Sequence, residues 1–127
     1  MDAISREGVY LGGCIAAGVR LSTEALFQKT AQLPNVELAM PDTVLGSTTV
    51  GQIQAGAVVG YVGSMEYLID RTKKEMGYPP EEIRVVATGG LARMIADNTD
   101  HIEVVDSQLI LDGLRILYDR YREGNRQ

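Results

Sequence analysis

Polar and apolar positions alternate at the start of the chain. Ala3-Ile4-Ser5, Arg6-Glu7-Gly8 and Val9-Tyr10-Leu11 read as strand, turn and strand, a β-hairpin in which Gly8 takes the positive-φ turn position. The second strand is expected over 9–15, with Gly12-Gly13 inside it. Glycines within a strand point to a bulge or a close backbone approach. Ala16-Ala17-Gly18 then breaks the strand. Ser22-Thr23-Glu24 ahead of Ala25-Leu26-Phe27 predicts a helix start, and that helix should stop before Pro34. Val36-Glu37-Leu38 follows as a short extended piece ended by Pro41.

The segment 49–76 contains no proline, and Gly77 with Pro79-Pro80 supplies its stop. As one helix it is about 42 Å long, whereas a compact domain of this size is only ~36 Å across. Its first half is apolar nearly all round, through Ile53, Ala55, Ala57, Val58, Val59, Tyr61, Val62 and Met65. Its second half carries Asp70, Arg71, Lys73, Lys74 and Glu75. A helix apolar on all sides is buried on two of them, which predicts a second subunit or domain against it. Gly56, Gly60 and Gly63 share a face and let another backbone come close. A central core helix, or two helices kinked among the glycines, are the alternatives.

Beyond the prolines, residues 83–88 read as a buried strand, and Gly89-Gly90 leads into a helix over 91–96 that ends near Asn98. A short strand is expected over 101–105. Ser107 or Asp106 then caps a last helix with the stripe Ile110, Leu114, Leu117, Tyr118 and Tyr121. Residues 123–127 should fray. The order ββ-α-β-α-β-α-β-α, without repeat or linker, predicts a single α/β domain.

Composition narrows the chemistry. The 127 residues are 45% hydrophobic and 23% charged, a globular balance with a net charge of −5, which argues against nucleic acid and anionic membrane as partners. Cys14 is the only cysteine, so no internal disulfide is possible; with no signal pattern at the N-terminus, a cytoplasmic setting is favoured. A single Cys and a single His, His101, cannot build a Cys/His zinc site. Nothing near His101 recommends a Ser-His-Asp arrangement either. Cys14 reads as a buried small hydrophobe, and His101 as a surface or strand-end residue. Asp2 stands at the entry to the hairpin, where the plain alternative is a charged terminus. The strand-to-helix turn at Gly89-Gly90 suits an anionic or nucleotide ligand, although most such turns are only tight connections. It is neither the dinucleotide fingerprint nor a P-loop.

Several runs together resemble the type III pantothenate kinase family, over essentially the whole chain and in order. They are Asp2-Ala3-Ile4-Ser5-Arg6-Glu7-Gly8-Val9-Tyr10-Leu11-Gly12-Gly13, Ile15-Ala16-Ala17-Gly18, Ser22-Thr23-Glu24-Ala25-Leu26-Phe27 and Leu33-Pro34. Gly46-Ser47-Thr48-Thr49-Val50, Gln54-Ala55-Gly56 and Gly60-Tyr61 resemble the start of that family's long helix. Val86-Ala87-Thr88-Gly89-Gly90-Leu91-Ala92 is similar to its adenosine-side motif, and Leu111-Asp112-Gly113-Leu114 to its last helix.

The resemblance implies a ribonuclease H-like C-terminal lobe of the actin-like sugar kinase superfamily, with a mixed sheet and a long helix at a homodimer interface. It implies phosphoryl transfer from ATP to pantothenate, the first step of coenzyme A synthesis, with a divalent metal such as magnesium and a monovalent cation such as potassium. Only the C-terminal half is matched. The family's Asp-x-Gly-Asn-Thr phosphate loop and its Gly-x-Asp-Arg segment have no counterpart here, which implies an inactive chain when alone. Ala17 replaces a usual proline, Thr48 an asparagine, Gly51 an acidic residue and Ala55 a serine.

Carried over by position, Gly89 and Gly90 line the adenosine side of the ATP cleft, and the turn holding Ala17 and Gly18 lies near it. Thr49 reaches pantothenate in the neighbouring subunit's site. Asp2 follows the family's phosphate strand and receives no role, and no catalytic residue or metal ligand is carried over. Two functions compete: half of a type III pantothenate kinase, or a non-catalytic dimerisation or regulatory module derived from one. Another actin-like ATPase lobe fits the Thr88-Gly89-Gly90 turn but explains the first thirty residues poorly.

Overall fold

A hairpin with a fault in its ladder opens the structure, a computed structural model that describes residues 1–30 and 33–125. Strand β1 (Asp2–Ile4) pairs antiparallel with β2 (Tyr10–Gly13). Asp2 faces Gly13 and Ala3 faces Gly12, but Ile4 faces Tyr10, so Leu11 is an extra residue bulged from β2. The glycine pair thus marks a bulge, with φ +128° at Gly12. The strand is shorter than its expected span, ending at Gly13 rather than residue 15. The turn is closed by Ser5 N–H donating to Val9 O at 2.8 Å, and Gly8 has the expected left-handed φ of +79°. Arg6 at the hairpin tip pairs with Glu82, in the 3₁₀ turn Pro80–Glu82.

Two compact units make up the chain, Met1–Ile83 and Arg84–Gln127. In the first, helix α1 (Val19–Lys29) begins four residues before the expected start, with Gly18 at its N-cap position. Ser22 and Thr23 are not caps. The Thr23 hydroxyl donates to Val19 O at 2.7 Å, satisfying itself against the preceding turn and staying buried inside the helix. The helix ends at Lys29, before Pro34 as expected, while residues 31 and 32 lie outside the described ones. Val36-Glu37-Leu38 forms no strand ladder, yet Val36 is buried.

The run 49–76 is helical from end to end and stops at Gly77, whose φ is +71°. It is not one α-helix. α2 (Thr49–Gln54) passes into a π-helical turn, Ala55–Val59, and then into α3 (Gly60–Met76). The wider turn is registered by Gly60 N–H donating to Ala55 O, five residues back. At about 100° per residue, positions five apart on an α-helix point ~140° away from each other. The π turn instead lets Ile53 and Val58 both be buried, with Ala55, Val62 and Ile69 completing the helix's buried positions. α1 packs on this π turn.

Ahead of α2 the chain is held tightly. Thr48 Oγ1 accepts from Gly51 N–H at 3.1 Å, and Gln52 Nε2 donates to Gly46 O at 3.1 Å. A Cβ at Gly46 would lie 2.6 Å from Gln52 N and from Gly51 C, both backbone atoms. Gly46→Ala must therefore push the loop off the helix start. The expected loss is about 1–3 kcal/mol, measured as a lowered urea midpoint with unchanged m-value; an unchanged midpoint would show the loop is free to yield.

The second unit holds a parallel pair, β3 (Val86–Ala87) with β4 (Val104–Val105), joined through α4 (Ala92–Ala96). The strands are two residues long, against expected spans of 83–88 and 101–105, and they are not buried. Val86 is 45% and Val104 41% exposed. Parallel strands need cover on both faces, and the buried side chains of this unit are Ala92 and Ile95 of α4 alone among the described residues. α5 (Leu109–Gly124) closes the chain. The N-cap position of α5 is Gln108, which carries no side-chain cap bond, so neither Ser107 nor Asp106 caps the helix as expected. Asp106 Oδ1 instead accepts from Gln108 N–H at 2.8 Å in the turn just ahead of it. The helix persists through Gly124 where fraying was expected, and residues 126 and 127 lie outside the described ones. The two units together are a mixed α/β set of small sheets and helices.

Candidate functional site

Two glycine-marked turns and one helix start carry the candidate residues, and they fall in different units. In the second unit, β3 ends and the chain turns through Gly89 and Gly90 before α4. Gly89 has φ +101°, a conformation open in practice to glycine only, and Ala92 N–H donates back to Gly89 O at 3.1 Å. Both glycines are exposed, and a Cβ on either would meet nothing within 4 Å. The turn is thus an open strip of backbone. A flat or anionic group can approach it without meeting a side chain.

In the first unit, Ala16, Ala17 and Gly18 are exposed and irregular between β2 and α1. Next to them lies a recess of about 160 Å³, lined by Met1, Cys14, Ile15, Ala16, Tyr61, Met65 and Leu68. Ala16 borders it, while Ala17 and Gly18 do not. Cys14 is half-buried beside this recess, which corrects the expectation of a buried packing residue: it lies one residue past the end of β2, on the edge of the recess, with its N–H donating to Met1 O at 2.9 Å. The sequence holds a signal for the recess in the spacing of Tyr61, Met65 and Leu68, one face of α3 at i, i+4 and i+7.

Thr49 is the first residue of α2 and is exposed. Its backbone position is fixed by the Thr48 cap and the Gln52 bond, with a further tie from Gln54 Nε2 to Glu37 O at 3.0 Å. Thr49 is therefore an exposed hydroxyl on a pinned helix start. Asp2 has a local partner: Tyr10 OH donates to its Oδ1 at 3.4 Å across the hairpin. His101 is half-buried, with Nδ1 3.2 Å from Thr99 Oγ1.

Charge is spread over solvated faces. Arg71 donates to Glu75 at 3.1 Å, and that bond, with the charges of Tyr67 and Glu75, raises its pKa above the ordinary guanidinium value. Among the described residues no group of three or more His, Cys, Asp or Glu is placed to hold a metal ion, and no helix is long and apolar enough to cross a membrane. A divalent metal therefore finds no ready set of ligands among the described residues.

The family model and the curated relatives agree with one another. A family model described as type III pantothenate kinase matches residues 1–71. The type III pantothenate kinase of Myxococcus xanthus is 50% identical over 94% of this chain and 45% of its own length. That of Finegoldia magna is 42% identical over 93% of this chain and 45% of its own length. The chain thus spans about 45% of the length of these curated relatives. A solved structure, described as a conserved Baf family transcriptional activator from Campylobacter jejuni, matches with a TM-score of 0.64 at 20% identity. It covers 96% of this chain and 53% of that one, a likeness of fold.

Proposed function

From the premise that the chain belongs to the type III pantothenate kinase family, we propose that it is one half of such an enzyme. The reaction is transfer of the γ-phosphoryl group of ATP to the primary hydroxyl of pantothenate. The hydroxyl oxygen bonds to phosphorus, the bond from phosphorus to the ADP oxygen breaks, and the hydroxyl proton leaves to a base. The observation that carries this reading is the lopsided coverage: 94% of this chain aligned at 50% identity, against 45% of the relative.

In the assembled enzyme the backbone at Gly89 and Gly90 faces the adenosine side of ATP, where the absence of Cβ atoms leaves room for the base and ribose. The turn through Ala17 and Gly18 lies near the same nucleotide. Thr49 presents its hydroxyl to pantothenate in a neighbouring subunit's site, and its pinned helix start keeps that hydroxyl in one place. Phosphoryl transfer is positioning plus stabilisation of phosphate charge. This chain supplies positioning. The charge-handling groups, with a divalent metal such as magnesium and a monovalent cation such as potassium, belong to the complementary half. The ribonuclease H-like lobe is supported by the order of an antiparallel hairpin followed by a parallel strand-helix-strand pair. A cytoplasmic homodimer is the form in which it works.

The expected result is no ATP- and pantothenate-dependent ADP release from this chain alone, and turnover once the complementary half is supplied. Turnover by the chain alone contradicts the half-enzyme reading. Failure of the two parts to turn over together supports the non-catalytic module instead.

A further inference from the structure

The last helix carries a surface that nothing in its own unit covers. Ile110, Leu111, Leu114, Leu117, Tyr118 and Tyr121 are 57 to 70% exposed, and α5 contains no buried residue. At about 100° per residue all six fall within a ~120° arc. The other side is polar, with Asp112 paired to Arg115 at 3.2 Å and with Asp119 and Glu123. The periodicity is that of a helix built to be covered along one stripe.

We propose that this stripe docks on the part of the kinase that relatives carry and this chain does not span, making α5 the seam between the two parts. The inference rests on the half-enzyme reading and names the surface by which the halves meet. Side chains of roughly 200 Å² each at such exposures offer on the order of 700 Å² of contact. That is the scale of an interface between domains of one chain, about 600–1,500 Å², and short of what an obligate homodimer buries per subunit, about 1,000 Å² or more. The second unit needs such cover, since only Ala92 and Ile95 are buried in it among the described residues. A unit of about 40 residues does not usually hold itself together by its own core. More than half of each relative lies outside the match, and that is the polypeptide available to provide it.

The test is co-expression of the tagged chain with the unmatched portion of the Myxococcus xanthus relative. Copurification, hydrogen exchange across α5 and ADP release are then measured. The pair should copurify, and α5 amides should exchange at least tenfold more slowly than in the chain alone. Leu114→Asp with Leu117→Asp should abolish copurification while the tagged chain keeps its helical circular dichroism, because neither side chain is buried. Absence of copurification overturns the proposal. So does copurification that survives both substitutions, or a stripe whose substitution only converts a dimer of this chain to monomer. A wild-type pair that copurifies through α5 without turnover leaves the docking surface standing and sinks the half-enzyme reading, so the two failures are distinct.

Discussion

Val58→Asp abolishes folding of the Met1–Ile83 unit, whereas Val58→Ala lowers its stability by about 2 kcal/mol. Val58 is 0% exposed, the most completely buried side chain described, and it sits in the π turn on which α1 packs. An aspartate there is a charge removed from water, a cost of several kcal/mol against a domain stability of about 5–15. The core it would enter is small, consisting among the described residues of Val19, Val36, Ile53, Ala55, Val62 and Ile69, and it cannot absorb that cost. The measurement is circular dichroism with hydrogen exchange. The aspartate variant should lose protection throughout 19–76, while the alanine variant keeps it and melts earlier. An aspartate variant with native protection in α1 and α3 would mean the π turn opens locally and Val58 is not the centre of the core.

The hairpin was legible because its signals are local. Gly8 fixes the turn, alternation fixes the strands, and the Gly12-Gly13 pair announces the bulge. The limits of the run 49–76 were equally legible, its end from Gly77 and the prolines beyond it, while the Thr48 cap at its start is added by the structure. Its π turn was not, because what selects it is the joint burial of Ile53 and Val58, a tertiary fact that an α-helical wheel hides. The start of α1 was misread for a related reason: a buried threonine that bonds back to Val19 O has the same composition as a cap.

The largest mismatch is exposure. Residues 83–88 and the α5 stripe have the patterns of covered elements, yet Val86 and Leu117 stand open. Sequence pattern records the surfaces an element meets when covered. This chain spans about 45% of the length of the relatives it matches, and on the half-enzyme proposal the cover lies in the remainder. Of the elements that carry the candidate residues, the irregular stretch at Gly18, the turn at Gly89 and the helix start at Thr49 lie where the sequence places them. The recess beside Cys14 was missed, because it forms only where the end of β2 meets one face of α3.

On the proposed homodimer, Gly60→Leu is expected to give a monomer without harm to the fold. Gly56, Gly60 and Gly63 recur at i, i+4 and i+7, and a Cβ on any of them meets nothing within 4 Å. The helix therefore has a smooth open face on the side away from Val58 and Val62. Glycine in a helix interior costs about 1 kcal/mol relative to alanine, and no contact among the described residues explains three of them on one face. Close approach of a second backbone does, and a homodimer supplies one. Leucine at position 60 stands several ångströms proud of that face and holds the partner helix off, while its better helix propensity leaves α3 at least as stable as before. Self-association should weaken at least 100-fold, equivalent to about 2.7 kcal/mol, read as a shift from dimer to monomer by light scattering at micromolar concentration. Alanine at the same position, adding one methyl group, should weaken it less. A wild-type chain that is monomeric at that concentration refutes the dimer, and a Gly60→Leu variant that stays dimeric moves the interface elsewhere on the molecule.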